Sequence, residues 1–340
     1  VNGMDLYYEY GVTSGAYASR TAAVSTPANS PIHVLIDKLQ PDTRYFYRLR
    51  YRDSGGAAFL EGPERSFRTA RPRGATFTFA IQFDAHMDEN SDENVYRQTL
   101  RNMLADQPDF LIDLGDTFMS DKLQPITQNG VHDRVKLMRS FYDIVAHSVP
   151  LILTLGNHEG EWGRNLNGTP NNVAVWNTLL RKQYFPNPRP DGFYTGDERV
   201  EPLVGAREAW FAWEWGDALF ISLDPYWNRP VPPEQQGDWS LTLGRTQYDW
   251  LKKTLENSTA KFKFVFAHNL VGGRDMNGPM RGGIEQATLL EWGGHNLDGA
   301  WGFDRARPGW PMPIHQLLVA NGVNVFFHGH DHIYAKQDLD

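Results

Sequence analysis

The sequence predicts a chain in two parts, a small all-β unit over residues 1–70 and a layered α/β domain over residues 71–340, with "ARPRG" at 70–74 as the linker. Two patterns carry that reading. In "DLYYEYG", "PIHVLID", "RYFYRLRYR" and "RSFRTA", apolar and polar residues alternate with the period of half-buried strands, and no helical recurrence appears. Beyond residue 74, short unbroken apolar runs ("TFTFAIQF", "DFLIDLG", "PLILTLG", "ALFISLD", "KFKFVFAH", "VNVFFHG") alternate with helical stretches such as "ENVYRQTLRNMLADQ", "RVKLMRSFYDIVAH" and "RTQYDWLKKTLEN". Strands that are apolar throughout need both faces covered, so the helices are expected to pack outside a sheet.

Composition narrows the function. The 340 residues, 41% hydrophobic and without cysteine, allow two cores and exclude disulfides, thiolate metal sites and cysteine nucleophiles. A net charge of -8 argues against a nucleic-acid-binding surface, because a polyanion needs a basic face. No apolar run approaches the roughly 18 residues of a membrane span. Two long segments rich in Gly, Pro, Asn and Trp, near 160–215 and 270–312, are expected to cover a site. Within the first, the aromatics of "WFAWEWG", Trp210 to Trp215, alternate at strand period and are expected to pack as a strand. The chain opens on Val1 inside a strand-like run and stops eight residues (340 − 332) after His332, so it is expected to be a fragment. Nothing in it gives an oligomeric state.

Five of the apolar runs end in polar groups suited to a metal: Asp84 and His86 in "FDAH", Asp116 in "LGD", Asn157 and His158 in "GNHE", His268 in "FAHN", and His330 and His332 in "HGHDH". In open α/β sheets, ligands bind beyond the carboxyl ends of the strands, so these five ends can converge. Carboxylate, imidazole and amide oxygen suit Zn, Mn or Fe rather than Ca or Mg. These candidate ligands are too many for one tetrahedral ion and suit two that share a carboxylate.

In their order and spacing these runs resemble the calcineurin-like metallophosphoesterase superfamily pattern D-x-H, G-D, G-N-H-[D/E], H, G-H-x-H, over residues 75 to 334. The resemblance implies a two-sheet sandwich flanked by helices, with the ligands at one edge. It also implies that Asp84, His86 and His332 hold one metal and Asn157, His268 and His330 the other, with Asp116 bridging. His158 is implied as the catalytic group beside the phosphate, with Glu159 orienting it. Arg164, Arg274 and Arg281, in loops after ligand segments, are candidates for binding the phosphate's outer oxygens, although plain surface arginines are the first reading of each. His328 is expected to be structural.

"LQPDTRYFYRL" resembles the tyrosine-corner segment of fibronectin type III domains, with Leu39, Pro41, Thr43 and Tyr45 in place, and implies a partial β-sandwich. Such a unit before the metal domain resembles the purple acid phosphatase layout. That branch carries Asp-x-Gly where this chain has Asp84-Ala85-His86, and a ligating tyrosine where it has Met119. Neither a purple charge-transfer band nor an obligatory Fe(III) is therefore expected.

The implied activity is hydrolysis of phosphate monoesters or diesters by in-line attack of a hydroxide activated by two divalent or mixed-valence ions. The alternatives are hydrolysis of nucleotide pyrophosphate bonds at the same site, or an inactive extracellular binding protein. A secreted or periplasmic location is implied by the family resemblance alone.

Overall fold

The computed structural model of the protein describes residues 3–28, 30–88, 91–228, 239–270 and 287–338. The first part is one antiparallel sheet of six strands, β1 (Met4–Gly11), β2 (Ser19–Arg20), β3 (Val24–Thr26), β4 (Arg44–Asp53), β5 (Leu60–Glu61) and β6 (Arg65–Arg68). The register pairs Leu6 with Tyr51, Tyr8 with Leu49 and Tyr10 with Tyr47, and this puts these six side chains on one face. The other face carries charges in compensating pairs, Arg52 with Asp5 and Arg50 with Glu61. The Tyr45 hydroxyl accepts a hydrogen bond from the Gln40 amide at 3.0 Å, the contact expected of a tyrosine corner. Among the described residues these strands form a single sheet, not two facing ones. Tyr47 donates to the His147 carbonyl and Arg71 pairs with Asp109 at 2.8 Å, which attaches the sheet to the second part.

The second part follows the alternating pattern of the sequence. Its elements are β7 (Phe79–Gln82), α1 (Glu93–Ala105), β8 (Phe110–Asp113), α2 (Gln128–Tyr142), β9 (Leu151–Leu153), α3 (Val173–Tyr184), β10 (Thr195–Gly196), β11 (Phe211–Trp215), β12 (Ala218–Ser222), α4 (Gly244–Asn257), β13 (Phe262–Phe266), α5 (Leu290–Gly293), α6 (Phe303–Ala306), α7 (Ile314–Ala320) and β14 (Val325–Phe327). Strands β7, β8 and β9 form a parallel sheet, and β10 to β14 form a second sheet in which β12, β13 and β14 are parallel.

The two sheets bury a shared aromatic layer. Phe110, Ile112 and Ile152 of the first meet Phe211, Trp213, Phe220 and Phe266 of the second. Outside the first sheet, α1 and α2 add Leu100, Val135, Met138 and Phe141. Outside the second, α4 and α7 add Leu251, Leu255 and Leu317. Both sheets are thus covered on both faces, which is why their longer strands are largely apolar. Caps set where the helices begin: Asp92 accepts from the Asn94 amide at α1 and Thr127 from the Gly130 amide at α2.

Helix α3 does not announce itself as an apolar stripe, because the middle of its inward face is polar. Asn177, Thr178 and Arg181 are fully buried and all three reach Glu161. Arg207 completes the cluster by bonding Glu161 and Asp224. This network holds the segment after His158 to α3 and to the loop after β12.

Burial would raise the Glu161 carboxyl, but the charge and hydrogen bonds of Arg181, with Arg207, outweigh it and bring it down to about 2. A depressed carboxylate gives its full stabilisation above its ordinary value of 4.5 and loses it as the pH falls through about 2. Glu161→Gln takes the paired carboxylate from buried Arg181 and leaves Arg207 with Asp224 alone, so it should cost about 3–5 kcal/mol at neutral pH. In urea titrations the variant should also lack the part of the wild-type stability loss that this carboxylate contributes between pH 4.5 and 2.

Candidate metal centre

All the candidate ligands lie just past the carboxyl ends of parallel strands, at one edge of the two sheets. The chain reaches them through left-handed backbone: Asp84, His86, Asp116, His330 and His332 have φ of 53°, 43°, 56°, 74° and 51°. Each such turn costs a non-glycine residue roughly 1–2 kcal/mol. The cost turns these side chains out of the strand direction and toward one another.

Three groups of donor atoms result, each with its atoms within 4.8 Å of one another: Asp84, His86 and His332; Asp116, His268 and His330; and His86, Asp116 and His158. Asn157 joins the second group, its Oδ1 lying 2.9 Å from His268 Nε2. Asp116 Oδ2 stands between the groups, 3.1 Å from His86 Nε2 and 3.2 Å from His268 Nε2. Asp116 Oδ1 accepts the His158 amide at 2.8 Å.

The donors fit a cation better than they fit each other. Asp84 Oδ1 is buried and has no hydrogen-bond partner. The Nε2 atoms of His332, His86 and His268 surround it at 3.5, 3.6 and 3.9 Å. Two ligands each about 2.1 Å from a tetrahedral ion stand about 3.4 Å apart, so the first two spacings are near those of co-ligands. Charge points the same way. Burial would lower His86 and His268, but the Asp116 and Asp84 carboxylates outweigh it and lift each imidazole to about 9. Burial would raise Asp116, yet the charge and hydrogen bond of His268 hold it well below the usual carboxylate range. The His268 ring is also oriented for ligation, since Nδ1 can only donate to the Leu114 carbonyl at 3.0 Å and this turns Nε2 inward.

The groups around His158 differ from the sequence expectation. Glu159 does not orient it. Its buried carboxylate instead accepts the backbone N–H groups of Gly156, Asp116, Thr117 and Phe118. Burial and the Asp116 charge push it up to about 8, against four donors that favour the ionised form. The partner of His158 is Asp121, whose carboxylate lies 2.9 Å from Nδ1 and leaves Nε2 facing Asp116 at 3.9 Å. Nothing in "DTFMSD" distinguishes Asp121 from an ordinary turn aspartate.

Arg164 stacks on Trp162, its Cζ 3.5 Å from the ring centroid, and the Trp162 indole donates to the Asn157 carbonyl at 2.6 Å. Arg274 and Arg281 lie outside the described residues. Met119 is fully buried. His328 bonds the Gly329 carbonyl and belongs to none of the donor groups.

The sequence model of one family, calcineurin-like phosphoesterase, matches residues 84–334, which is more than half of the chain. The chain belongs to the calcineurin-like phosphoesterase family. Among solved structures it is similar to the purple acid phosphatase PPD1 from yellow lupin (Lupinus luteus) seeds, with TM-score 0.57 and 16% identity. That match covers 97% of this chain and 54% of the lupin chain, so this chain spans about half the length of that relative; at such identity the likeness is one of fold. A β-glucuronidase of Parabacteroides merdae also matches, at TM-score 0.20 and 12% identity over 49% of this chain and 26% of that one, too loosely to bear on the fold. No curated protein matches significantly.

The approach of the two ligand loops depends on Gly115. Its φ is 105°, and a Cβ there would lie 2.3 Å from the Gly156 nitrogen. Gly115→Ala should therefore cost at least about 2 kcal/mol, combining left-handed strain with overpacking, measured as a shift in the urea midpoint.

Proposed function

We propose that the protein is a phosphoesterase that holds two metal ions, drawn from Mn, Zn and Fe, and hydrolyses phosphate monoesters or diesters. The observation that carries the reading is Asp116 Oδ2, set between His86 and His268 where the two donor groups meet. Asp84, His86 and His332 would hold one ion, Asn157, His268 and His330 the other, and Asp116 both. Bound there, the ions would supply Lewis acidity toward phosphoryl oxygens and bring the pKa of a water down toward 7.

The rest is the work of the chain. Asp121 accepts the Nδ1 proton of His158 and so holds the ring with Nε2 turned inward; with the ring doubly protonated, Nε2 can give its proton to the leaving-group oxygen and leave a neutral imidazole still bonded to Asp121. Arg164, braced on Trp162 beside the Asn157 loop, is placed to hold a phosphate's outer oxygens through its guanidinium fork. No covalent phosphoenzyme is required.

The test is hydrolysis of p-nitrophenyl phosphate and bis(p-nitrophenyl) phosphate, after chelation and after return of Mn, Zn or Fe. Activity should vanish and return, and the preferred ester decides between monoesterase and diesterase. His158→Ala should lower kcat by about 10²–10⁴-fold, and Asp121→Asn should lower it by less. A His158→Ala enzyme as fast as wild type, or two bound metals with neither ester cleaved, would count against the reading.

A further inference from the structure

We propose that Asp113 is a positioning residue that sets the metal affinity of the site by fixing the loop on which the ligands hang; the inference rests on the metal-binding reading above. Asp113 ends β8, is 1% exposed and touches none of the candidate ligands' donor atoms. Its Oδ1 accepts the Gly115 amide at 2.9 Å and the Thr117 hydroxyl at 3.0 Å, one residue on either side of Asp116. Its Oδ2 accepts the Gln82 side-chain amide at 2.7 Å and the Tyr142 hydroxyl. Gln82, two residues before Asp84, also donates to the Tyr96 hydroxyl at 2.8 Å. One carboxylate thus joins the ends of β7 and β8 to α1 and α2.

The loop it pins carries more than Asp116. The Gly115 carbonyl accepts the Asp84 amide at 3.1 Å, the Asp116 carbonyl accepts the His86 amide at 3.4 Å, and the Leu114 carbonyl accepts His268 Nδ1 at 3.0 Å. A shift of this loop therefore moves Asp84, His86, Asp116 and His268 together. All four donors to Asp113 are neutral, and a buried carboxylate without a cationic partner is an expensive way to fill space where Leu111 and Ile112 before it are apolar. What an apolar side chain could not supply is the pair of acceptors that fixes Gly115 and Thr117.

The test uses the full chain stripped of metal and titrated with Mn(II) by calorimetry, with the ligand-field absorption of the Co(II)-loaded protein as a second readout. Asp113→Ala should weaken Mn(II) binding by about 10- to 100-fold, the usual effect of removing a group that orients metal ligands, and should shift the Co(II) bands. Asp113→Asn should lie between it and wild type, because the unpartnered Gln82 Oε1 can turn to accept the new amide. Asp109→Asn is the control: Asp109 is buried before the other end of β8, bonded to Arg71 and the Thr78 amide, and its loss should lower Tm without changing Mn(II) affinity. If Asp113→Ala does not fold, Tyr142→Phe, which removes a single donor, should still weaken binding by about 2- to 10-fold. Wild-type affinity in both Asp113→Ala and Tyr142→Phe overturns the inference, as does an equal loss in Asp109→Asn. A wild-type chain that binds no Mn(II) overturns the metal-binding reading itself and this inference with it.

Discussion

Residues 113–118 form a short loop whose backbone polar groups face two ways. Its N–H groups are taken by carboxylates, Gly115 by Asp113 and Asp116, Thr117 and Phe118 by Glu159. Its carbonyls are given to the proposed ligands, with Leu114, Gly115 and Asp116 holding His268, Asp84 and His86. Buried backbone groups must find partners. This loop satisfies its donors with fixed acids and its acceptors with the residues it positions, so the geometry of one side is transmitted to the other. The left-handed backbone at Asp84, His86 and Asp116 persists because these bonds overdetermine it.

Charge gives the loop its purpose. Asp84 and Asp116 place two carboxylates in one buried region with the Glu159 acid behind them, which is costly unless cations share it. In the protein alone, His86 and His268 supply positive charge by keeping protons to about pH 9. Divalent ions would take that place and release the protons, which is the linkage expected when imidazole and carboxylate donors bind metal. The Glu161 network works differently. It neutralises its acid with two arginines of the chain and therefore has no use for a bound ion.

Much of this was legible in the sequence, and the reason is local. A strand covered on both faces reads as a largely apolar run, and the polar groups a few residues beyond it mark its carboxyl end, so β7, β8, β9, β13 and β14 could be read together with Asp84, Asp116, Asn157, His268 and His330. What was not legible depends on contacts across the fold. Helix α3 hides because Asn177, Thr178 and Arg181 interrupt its buried face between Val175 and Tyr184, and periodicity counts only apolar residues. Asp121 hides because its meaning comes from His158, 37 residues away. Glu159 was legible as important and misassigned in role: adjacency to His158 suggests a side-chain partner, whereas the tight turn at Gly156 folds its carboxylate under the Asp116 loop.

The departure from the purple acid phosphatase pattern now has a structural side. Met119 is buried with its backbone at φ 52°, and no phenol stands at that position. Yet the first donor group is not short of a member, since His86 stands with Asp84 and His332 and lies 3.1 Å from Asp116. In the proposed ligand set an imidazole after Asp84 would thus make up the donor number that a tyrosine completes in the purple acid phosphatase pattern. The exchange changes the character of the site more than its size. A phenolate is a hard anionic oxygen donor, whereas neutral imidazole adds no charge and suits divalent Zn and Fe. With Asp84 and the shared Asp116 as the only anionic donors to that position, a pair of divalent ions balances the proposed ligand set more closely than a trivalent one would.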